Sequence, residues 1–484
     1  MRVALVHYHL QSGGVTRIIC HLQRALNQRG VKTVVLTGKP PSLQGDGDFQ
    51  VIPGLQYEAD RPAISPSDLA VQMRTEATAA LGGPPDLWHV HNHSLGKSLV
   101  LPITLRLLAD QGERILFQIH DFAEDGRPAN YRAMLATMAE GQREVLSRLL
   151  YPRAGHLHYA VLNSRDFDSL EAAGLDAGHL HFLLNPVDLG PLPVEISPTA
   201  NAAPLWLYPT RAIRRKNLGE FLLWAAMAPQ GTRFATTSGP ENPLEQPRYR
   251  RWRQVATDLG LPVQFELVGP GGYSFIELLQ RADVAVTTSV AEGFGMAFLE
   301  PWLFGTPVCG RNLPEIMSSS GDEGIQLPWS YDRLDVPLEW LGRDRVEAAA
   351  REGLLRNLAA YGRKPGKDDL ERLLTAWICE DRVDFGRLDE TLQEAVLRRL
   401  VSSGGQAALL RPDTLPDAVN LHAPLVENRR ILRSRYTLER YGEAVEAVYQ
   451  QVANSAITVP GNLDGEVLLD RFLAPERLCL LRVE

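Results

Sequence analysis

The sequence is poor in cysteine. Four cysteines are spread over 484 residues, and no two of them stand at the short spacing of a zinc knuckle or a small disulfide framework. This scarcity indicates free thiols in a reducing compartment. The four are Cys20, Cys309, Cys379 and Cys479.

The sequence also lacks long apolar runs and an excess of positive charge. No stretch reaches the ~18 apolar residues of a membrane span, and the opening "MRVALVHYHL" has only a short apolar run before its first histidine. That opening predicts a strand and not a signal peptide. The net charge of −8 argues against a nucleic-acid footprint and a polybasic membrane anchor. We therefore expect a cytoplasmic protein with no nucleic-acid partner and no transmembrane segment.

The first part of the chain alternates between strand-like and helix-like segments. It reads "VALVHYH", then "LQSGG", then an amphipathic stretch that ends near Gly30, then "KTVVLTG". Further strands are predicted at 87–91, 114–120, 158–164 and 179–185. Alternating strands and helices predict a parallel sheet that is covered on both faces.

A second α/β series follows residues 189–204, which are rich in proline and small residues and are predicted to be a linker. Its strand candidates are "LWLYPT", "RFATTS", "VQFELVG", "VAVTTS" and "PVCG". The predicted fold class is therefore α/β, with two doubly wound, Rossmann-like domains that face a cleft and bind ligands at the carboxyl ends of their strands.

The remainder of the chain is predicted to be mostly helical. Leu370, Leu373, Leu374 and Trp377 follow the spacing of one helix face, which predicts core packing in a helical insertion with few strands. The predicted boundaries are 1–188 and 204–330 for the two domains, 331–425 for the insertion, 426–452 for a closing helix and 453–484 for a tail.

Two glutamates in "AEGFGMAFLE" indicate the chemistry of the second domain. Glu292 follows a predicted strand, and Glu300 lies about one turn inside the next helix. Eight helical residues span roughly 12 Å, whereas the carboxyl pair of a glycoside hydrolase needs about 5–9.5 Å. The spacing favours two hydrogen-bonding arms along an extended ligand. The helix-start amides of Phe294, Gly295 and Met296 would face an anion, so we expect a phosphate-bearing ligand.

The basic stretch "TRAIRRKN" at 210–217 follows the first strand of the second domain. Arg211 and Lys216 stand at a strand-to-helix junction, where both side chains can clamp a diphosphate. A solvated basic loop is the alternative interpretation. The location at a strand end, in the same half as Glu292 and Glu300, favours the interpretation as a diphosphate-binding site.

Together these motifs resemble a retaining glycosyltransferase of the GT-B fold, similar to glycosyltransferase family 4. "EGFGMAFLE" matches the E-x7-E motif, and "TRAIRRKN" resembles the Arg-x4-Lys donor-phosphate signature of sucrose-synthase-type members. The resemblance covers about 1–330 and 430–452. Its other motifs are "GTPV" at 305–308, "SGG" at 12–14, "HD" at 120–121, "NPVD" at 185–188 and a closing helix at 436–452.

The resemblance implies roles for individual residues. Arg211 and Lys216 bind the donor diphosphate, Glu300 binds the ribose hydroxyls, and Glu292 holds the transferred sugar. His120 contacts the donor sugar near the reacting carbon. The residues so assigned to catalysis are His120, Arg211, Lys216 and Glu292, and those assigned to donor binding are Gly13, Gly14, Gly293, Phe294, Gly295, Met296 and Glu300.

The resemblance also implies the reaction. A hexose passes from a UDP-, GDP- or ADP-sugar to an acceptor hydroxyl, with retention of configuration and with neither a cofactor nor a divalent metal ion required. The acidic net charge and the lack of an amphipathic basic helix argue against a lipid, so we expect a small soluble or saccharide acceptor. The first domain serves the acceptor and the second the nucleotide sugar. A homo-oligomer is left open.

For the acceptor, the sequence offers "HDFAEDGRPANYR" at 120–132. Arg127, Asn130, Tyr131 and Arg132 are candidates to bind a small polar or anionic acceptor. A solvated loop and helix start is an equal alternative.

Other functions remain as alternatives. A dehydrogenase is disfavoured because the G-x-G-x-x-G fingerprint is absent. In "HVHNH", His89, His91 and His93 could bind a metal ion, but polar residues at the mouth of a strand are the preferred interpretation, and no metal site is expected. An inactive nucleotide-sugar sensor or scaffold, and less favourably a nucleotide-sugar epimerase on the same fold, are the rival functions.

Overall fold

The structure is a computed structural model that describes residues 1–11, 13–41, 47–188, 190, 203–269, 271–402, 410 and 422–483. The predicted linker at 189–204 lies almost wholly outside these residues. So do Ser12 of the "SGG" stretch and parts of the predicted insertion.

Eighteen strands form within the described residues. In chain order they are β1 (Arg2–His7), β2 (Lys32–Thr37), β3 (Phe49–Val51), β4 (Leu87–His91), β5 (Ile115–Gln118), β6 (Pro152–Arg153), β7 (Leu157–Val161), β8 (Leu180–Phe182), β9 (Leu205–Arg211), β10 (Arg233–Ser238), β11 (Val263–Gln264), β12 (Val284–Thr287), β13 (Val308–Arg311), β14 (Ser330–Tyr331), β15 (Asp335–Pro337), β16 (Ile378–Cys379), β17 (Arg382–Asp384) and β18 (Gly461–Asn462).

Seventeen α-helices lie in the same described part of the chain. They are α1 (Gly14–Gln28), α2 (Pro66–Leu81), α3 (Leu101–Asp110), α4 (Pro128–Ala139), α5 (Arg143–Leu150), α6 (Ser164–Ala172), α7 (Leu218–Met227), α8 (Gln246–Asp258), α9 (Phe275–Arg281), α10 (Met296–Leu303), α11 (Pro314–Asp322), α12 (Arg343–Ala360), α13 (Asp369–Trp377), α14 (Glu390–Ser402), α15 (His422–Arg435), α16 (Leu438–Asn454) and α17 (Gly465–Phe472).

Local sequence explains where several helices begin. Ser65 caps α2 by accepting the amide of Asp68, and a proline follows at the first helical position. Asn163 caps α6 in the same way. Ser274 and Glu277 form a reciprocal capping box at α9.

The first compact unit comprises Met1–Asp188 and Tyr436–Leu473. Its seven strands have the order β3-β2-β1-β4-β5-β7-β8, and every pair is parallel. The strand order reverses between β1 and β4, which are neighbours at the centre of the sheet. In doubly wound folds, ligands bind at the carboxyl edge of such a reversal.

The second compact unit comprises Leu189–Arg435 and Ala474–Glu484. Its six strands have the order β11-β10-β9-β12-β13-β14, again with parallel pairs. The reversal lies between β9 and β12. The α/β class with two doubly wound units, predicted from the alternating pattern, is confirmed.

Helix α16 packs on the first unit, although it lies more than 200 residues along the chain from β8. Tyr441, Val445 and Tyr449 of α16 join the buried cluster formed by β1, α1 and β2 residues such as Val3 and Leu26. The apolar stripe of α16 therefore completes the cover of the first sheet.

The chain between β14 and α14 differs from its predicted character. It contains the expected helices, and Leu373 and Trp377 are fully buried as the core-packing interpretation requires. It also contains an antiparallel sheet, ordered β15-β17-β16, which the sequence did not predict. These strands have two or three residues each, too short for a readable alternation of apolar and polar side chains.

Two further differences concern the end of the chain. The predicted closing segment 426–452 contains parts of two helices, α15 in the second unit and α16 in the first. The predicted tail contains β18, which pairs with β6, and α17. Among the described residues, none of the helices is both long and apolar enough to cross a membrane.

Candidate active site

The loops after β9 and β12 lie side by side at the carboxyl edge of the second sheet, because the two strands are adjacent and parallel. Their backbones are bonded to each other. The amide of Val290 donates to the carbonyl of Arg215 at 2.9 Å, and the hydroxyl of Thr288 donates to the carbonyls of Lys216 and Asn217 at 3.0 and 2.9 Å. The two loops therefore form one fixed surface.

Lys216, Arg215 and Glu292 meet on this surface. The Lys216 ammonium forms an ion pair with the Glu292 carboxylate. The Arg215 guanidinium lies 3.2 Å from the other Glu292 oxygen and donates to the carbonyl of Ala291 at 2.7 Å. The side chains of Lys216 and Glu292 are only 12% and 7% exposed. Because two cations share one carboxylate, this mostly buried group of three side chains carries one excess positive charge.

The protonation states follow from this arrangement. Burial alone would raise the pKa of Glu292, but Lys216 and Arg215 lower it to about 2. Burial, together with Arg215, lowers the pKa of Lys216, while Glu292 opposes that change. Glu292 is therefore ionised at neutral pH and holds both cations in position.

Arg215 was missed by the sequence reasoning, which singled out Arg211 and Lys216 from the same stretch. The signal was present, since Arg215 precedes Lys216 in the same turn, but periodicity does not show which of three neighbouring cations faces Glu292. Arg211 has a different neighbour. Its half-exposed side chain lies 3.1 Å from Glu241, whose side chain is 73% exposed. Such a surface ion pair is worth little, so Arg211 can exchange Glu241 for another anion.

Helix α10 follows Glu292 as the sequence predicts. It begins at Met296 after Gly295, whose φ of 85° lies in the left-handed region. A Cβ at Gly295 would lie 3.1 Å from both Met317 and Phe298, so the position requires glycine. Glu300 lies one turn into the helix and is buried. Phe294 is buried as well, and the first helical amides have no intrahelical acceptor.

The basic turn is also held from behind, by residues that the sequence reasoning did not single out. The Arg214 guanidinium pairs with Glu390 at 2.6 and 2.9 Å and donates to the carbonyl of Val483. The Gln393 amide donates to the Asn217 side chain at 3.0 Å. Asn217 in turn caps α7, so helix α14 and the end of the chain position the turn that carries Lys216.

A buried charge cluster fixes the start of α7. Arg311 of β13 lies between Glu220 of α7 and Asp384 of β17, with closest contacts of 2.7 and 2.8 Å. Tyr331 donates to Glu220 at 2.7 Å, and Asn217 donates to the same carboxylate at 2.8 Å. Every charged member of the cluster is at most 5% exposed. The cluster connects the Lys216 turn to the antiparallel sheet.

In the first unit, His120 lies just past the end of β5 and is buried. Its Nε2 is 3.0 Å from Nδ1 of His91, and its backbone amide donates to the Asn92 side chain at 2.7 Å. Burial lowers the pKa of His120 to about 4, and Asp121 opposes the change. His120 is therefore neutral at neutral pH and can act as a hydrogen-bond donor or acceptor.

The histidines of "HVHNH" are all fully buried, His89 and His91 in β4 and His93 in the turn just past its end. His89 and His91 share one face of β4 and stack with ring centroids 4.4 Å apart. His93 lies in the next turn and faces elsewhere, with its Nε2 2.7 Å from the carbonyl of Leu150. In the described part of the chain, no group of three His, Cys, Asp or Glu side chains is arranged to hold a metal ion.

We expect acid to destabilise the protein through these buried histidines. Burial lowers the pKa of His7 and His89 to about 3, and of His93 and His120 to about 4. Below pH ~6.5 these histidines become protonated in the unfolded chain but stay neutral in the folded chain. Each such site therefore lowers the free energy of unfolding by about 1.4 kcal/mol per pH unit, until the folded pKa is reached. Stability is full above pH ~6.5 and is lost toward pH ~4.

Urea unfolding at pH 7 and pH 5 measures this effect. In the His93→Gln variant the free energy of unfolding should depend less steeply on pH than in the wild type, by about 1.4 kcal/mol per pH unit, whatever its stability at pH 7. Equal urea midpoints at the two pH values in the wild type would contradict the expectation.

Gly13 and Gly14 lie after β1, at the carboxyl edge of the first sheet. Gly13 has an extended backbone, with φ of 171°, that any residue can adopt. A Cβ at Gly13 would meet only the Gln11 carbonyl, at 3.9 Å, and one at Gly14 would meet no described atom within 4 Å. Packing among the described residues therefore does not explain glycine at either position.

The predicted acceptor residues have diverse environments. Tyr131 is buried, and the Asn130 amide donates to the carbonyl of Leu95 at 2.8 Å. The Arg127 guanidinium lies 3.0 Å from Asp121. Arg132 is exposed. The Asn130 side chain thereby fixes the loop that carries Leu95.

Residues 197–323, which include Arg215, Lys216, Glu292 and Glu300, match the family model "Glycosyl transferases group 1". The chain carries a glycosyltransferase group 1 domain. The mannosylglucosyl-3-phosphoglycerate synthase of Petrotoga mobilis is 23% identical over 424 residues, which are 81% of this chain and 79% of that protein.

Solved structures resemble the fold around this group 1 domain. Sucrose-phosphate synthase from Thermosynechococcus elongatus superposes with a TM-score of 0.54 at 16% identity, over 93% of this chain and 98% of that one. Anabaena HepE in complex with UDP gives a TM-score of 0.52 at 14% identity, over 92% and 99%. The fold is GT-B, and the matches together support a glycosyltransferase.

Proposed function

We propose that the chain is a family-4-like retaining glycosyltransferase. It transfers a hexose from a nucleoside-diphosphate sugar to a hydroxyl of a small soluble or saccharide acceptor. This proposal rests mainly on one observation: Lys216 and Arg215 both form ion pairs with the Glu292 carboxylate, at the strand reversal of the second unit. An excess cation at that edge suits an anionic ligand, and the group 1 domain match supports a sugar nucleotide.

The proposed mechanism uses electrostatics rather than a side-chain nucleophile. As the bond from the sugar carbon to the diphosphate oxygen breaks, negative charge grows on the leaving nucleoside diphosphate. Lys216, Arg211 and the first amides of α10 stabilise that charge in the transition state. The acceptor hydroxyl attacks the same carbon from the leaving-group face, and its proton passes to the departing phosphate. Retention of configuration follows from attack on that face.

Other residues keep the roles that the family resemblance implies. Glu300 binds the ribose hydroxyls, and Glu292 holds the cations and the transferred sugar. Gly13 and Gly14 permit close approach of the substrate to the backbone, and His120, neutral at pH 7, hydrogen-bonds the substrate. The Petrotoga relative is by its name a synthase of a glycosylated phosphoglycerate, which supports a small soluble acceptor here too.

Titration of the purified protein with UDP-, GDP- and ADP-glucose, followed by calorimetry and thermal shift, tests the donor site. We expect one of them to bind and to raise the melting temperature, because a ligand that binds the native state stabilises it. Glu300→Ala and Arg211→Ala should each weaken that binding about 10-fold or more, because each removes a hydrogen bond or charge contact to the ligand. Glu241→Gln, which removes the exposed partner of Arg211, should not weaken it.

The outcomes separate the rival functions. Binding that both variants lose, followed by transfer of the sugar from the bound donor in a screen of acceptors, supports the transferase, whereas such binding without any turnover favours the sensor. Donor turnover with no acceptor, yielding an isomerised sugar, would favour the epimerase. Absence of binding at millimolar concentration would overturn the proposal and favour a scaffold.

A further inference from the structure

A second cationic cluster lies in the first unit, and its residues are far from Lys216 and Glu292 in the sequence. Here His9, which follows β1, meets Tyr57 and Lys97. The His9 Nε2 atom lies 2.7 Å from the Tyr57 hydroxyl, and the Lys97 ammonium lies 5.3 Å from the centre of the Tyr57 ring. All three side chains are half-buried, so each retains an open side. We call His9, Tyr57 and Lys97 the Lys97 cluster.

The backbone of Lys97 is fixed on both sides. Its carbonyl accepts the amide of Glu58 at 2.7 Å, and the Glu58 carboxylate accepts the amide of Leu99 at 2.8 Å. The preceding Gly96 has φ of 72°, and a Cβ there would lie 2.9 Å from Asn130. The loop that carries Lys97 is thus packed tightly against the start of α4. A fixed backbone reduces the entropy lost when the side chain binds a ligand.

Lys97 has no counter-ion among the described residues. The nearby Glu58 carboxylate is paired with Arg61, at 2.6 and 2.8 Å, and with the amide of Leu99. Lys39 pairs with the exposed Asp60. Burial and the charge of Arg127 lower the pKa of Lys97, and burial and the charges of Lys39 and Lys97 lower that of His9. Lys97 is therefore a half-buried ammonium beside other cations and without a carboxylate partner of its own in the described part of the chain, which is costly.

The hydrogen bonds assign a free donor to Tyr57. The backbone amide of Gln11 donates to Nδ1 of His9 at 3.3 Å, so the proton of the neutral His9 ring sits on Nε2. That N–H donates to the Tyr57 oxygen. The Tyr57 hydroxyl hydrogen is then not used in this hydrogen bond and can be donated to a ligand.

We propose that the Lys97 cluster binds the phosphate of a phosphomonoester acceptor. This inference rests on the proposed transferase function and adds the class of its acceptor. The Lys97 ammonium supplies charge and the Tyr57 hydroxyl a hydrogen bond, two kinds of donor that suit a tetrahedral oxyanion. The cluster lies at the carboxyl edge of the first sheet, beside the strand reversal between β1 and β4, where doubly wound units bind their ligands.

Titration of the full chain with glycerol 3-phosphate, with inorganic phosphate and with uncharged glycerol tests the proposal. The donor site also attracts phosphate, so each titration is run in the presence of saturating UDP, GDP or ADP, whichever binds. We expect glycerol 3-phosphate and phosphate to bind and glycerol not to bind. Lys97→Gln should weaken binding of both anions about 10-fold or more, because it removes a charged hydrogen bond.

Two further variants secure the result. Tyr57→Phe keeps the ring beneath Lys97 and removes only the hydroxyl, so it should weaken binding of glycerol 3-phosphate by about 3- to 10-fold, even if Lys97→Gln folds poorly. Lys367→Gln removes an exposed lysine of the second unit and should bind as the wild type does. Wild-type affinity in both Lys97→Gln and Tyr57→Phe, or absence of anion binding in the wild type, would overturn the proposal.

Failure of the inference and failure of the proposed function are distinguishable. Nucleotide-sugar binding without anion binding at the Lys97 cluster would remove the acceptor class and leave the transferase. Anion binding that depends on Lys97, without any nucleotide-sugar binding, would remove the transferase and leave an anion site.

Discussion

Replacement of Lys216 by alanine should lower kcat/KM for sugar transfer by about 100- to 1,000-fold. That range is typical when one preorganised group that stabilises transition-state charge is removed. The Lys216 side chain is only 12% exposed at the edge of the second sheet, and its carbonyl is held by Tyr208 and Thr288. Water cannot easily take its place in so enclosed a position. The loss should appear in kcat more than in donor affinity, because charge on the diphosphate grows as the bond breaks.

Steady-state kinetics with the donor found by titration measure this prediction. Lys364→Ala removes a lysine that is exposed in the second unit, and its kcat/KM should equal that of the wild type. Arg215→Ala should also lower the rate, because Glu292 would lose one of its two cations and the Ala291 carbonyl its donor. If Lys216→Ala kept more than about a tenth of the wild-type kcat/KM, Lys216 would not be a catalytic residue.

Replacement of Arg311 by methionine should lower the free energy of unfolding by about 3–5 kcal/mol. Removal of one partner from a buried ion cluster leaves the others uncompensated in a medium that solvates charge poorly. Glu220 and Asp384 would both remain, at 0% and 2% exposure. Burial opposes ionisation of Arg311, but Asp384 and Glu220 outweigh it and raise its pKa well above the ordinary value. The guanidinium therefore stays charged in the folded protein.

Urea unfolding at pH 7 measures the Arg311→Met effect. Arg343→Met is the matched control, because its side chain is half-exposed and pairs with Glu347 one turn along α12. It should change the free energy of unfolding by no more than about 0.5 kcal/mol. The Arg311 variant should also bind the donor more weakly, since Glu220 bonds the Asn217 side chain beside Lys216. A loss below about 1 kcal/mol would mean that water reaches the cluster.

Most of the central strands could be predicted from sequence, because they are buried on both faces and are written as short apolar runs. "VALVH", "KTVVLT" and "LWHVH" each became a strand close to the predicted residues. "VQFELVG" became only a two-residue strand, since Glu266 adopts a positive φ of 61° that ends the regular pairing. A side chain in that conformation cannot be recognised from composition alone.

The candidate site was partly predictable for a different reason. Lys216 and Glu292 follow two strands of the same parallel sheet, and parallel strands end at the same edge, so their proximity followed from the fold class. The contribution of Arg215, and the support from Glu390 and Gln393, did not. These depend on which way a short turn faces and on contacts between residues 176 positions apart.

The sequence by itself determined the α/β class, the strand-end location of the glutamates and the basic turn, and the absence of a long apolar run. Those features depend on local periodicity and on residues that are neighbours along the chain, and both can be read directly from the sequence. Tertiary structure alone decided that α16 covers the first sheet, that Arg311 sits between two carboxylates, and that Tyr57 and Lys97 meet His9. Each of these depends on long-range packing, in which apolar burial and charge compensation select one partner among many of equal local propensity.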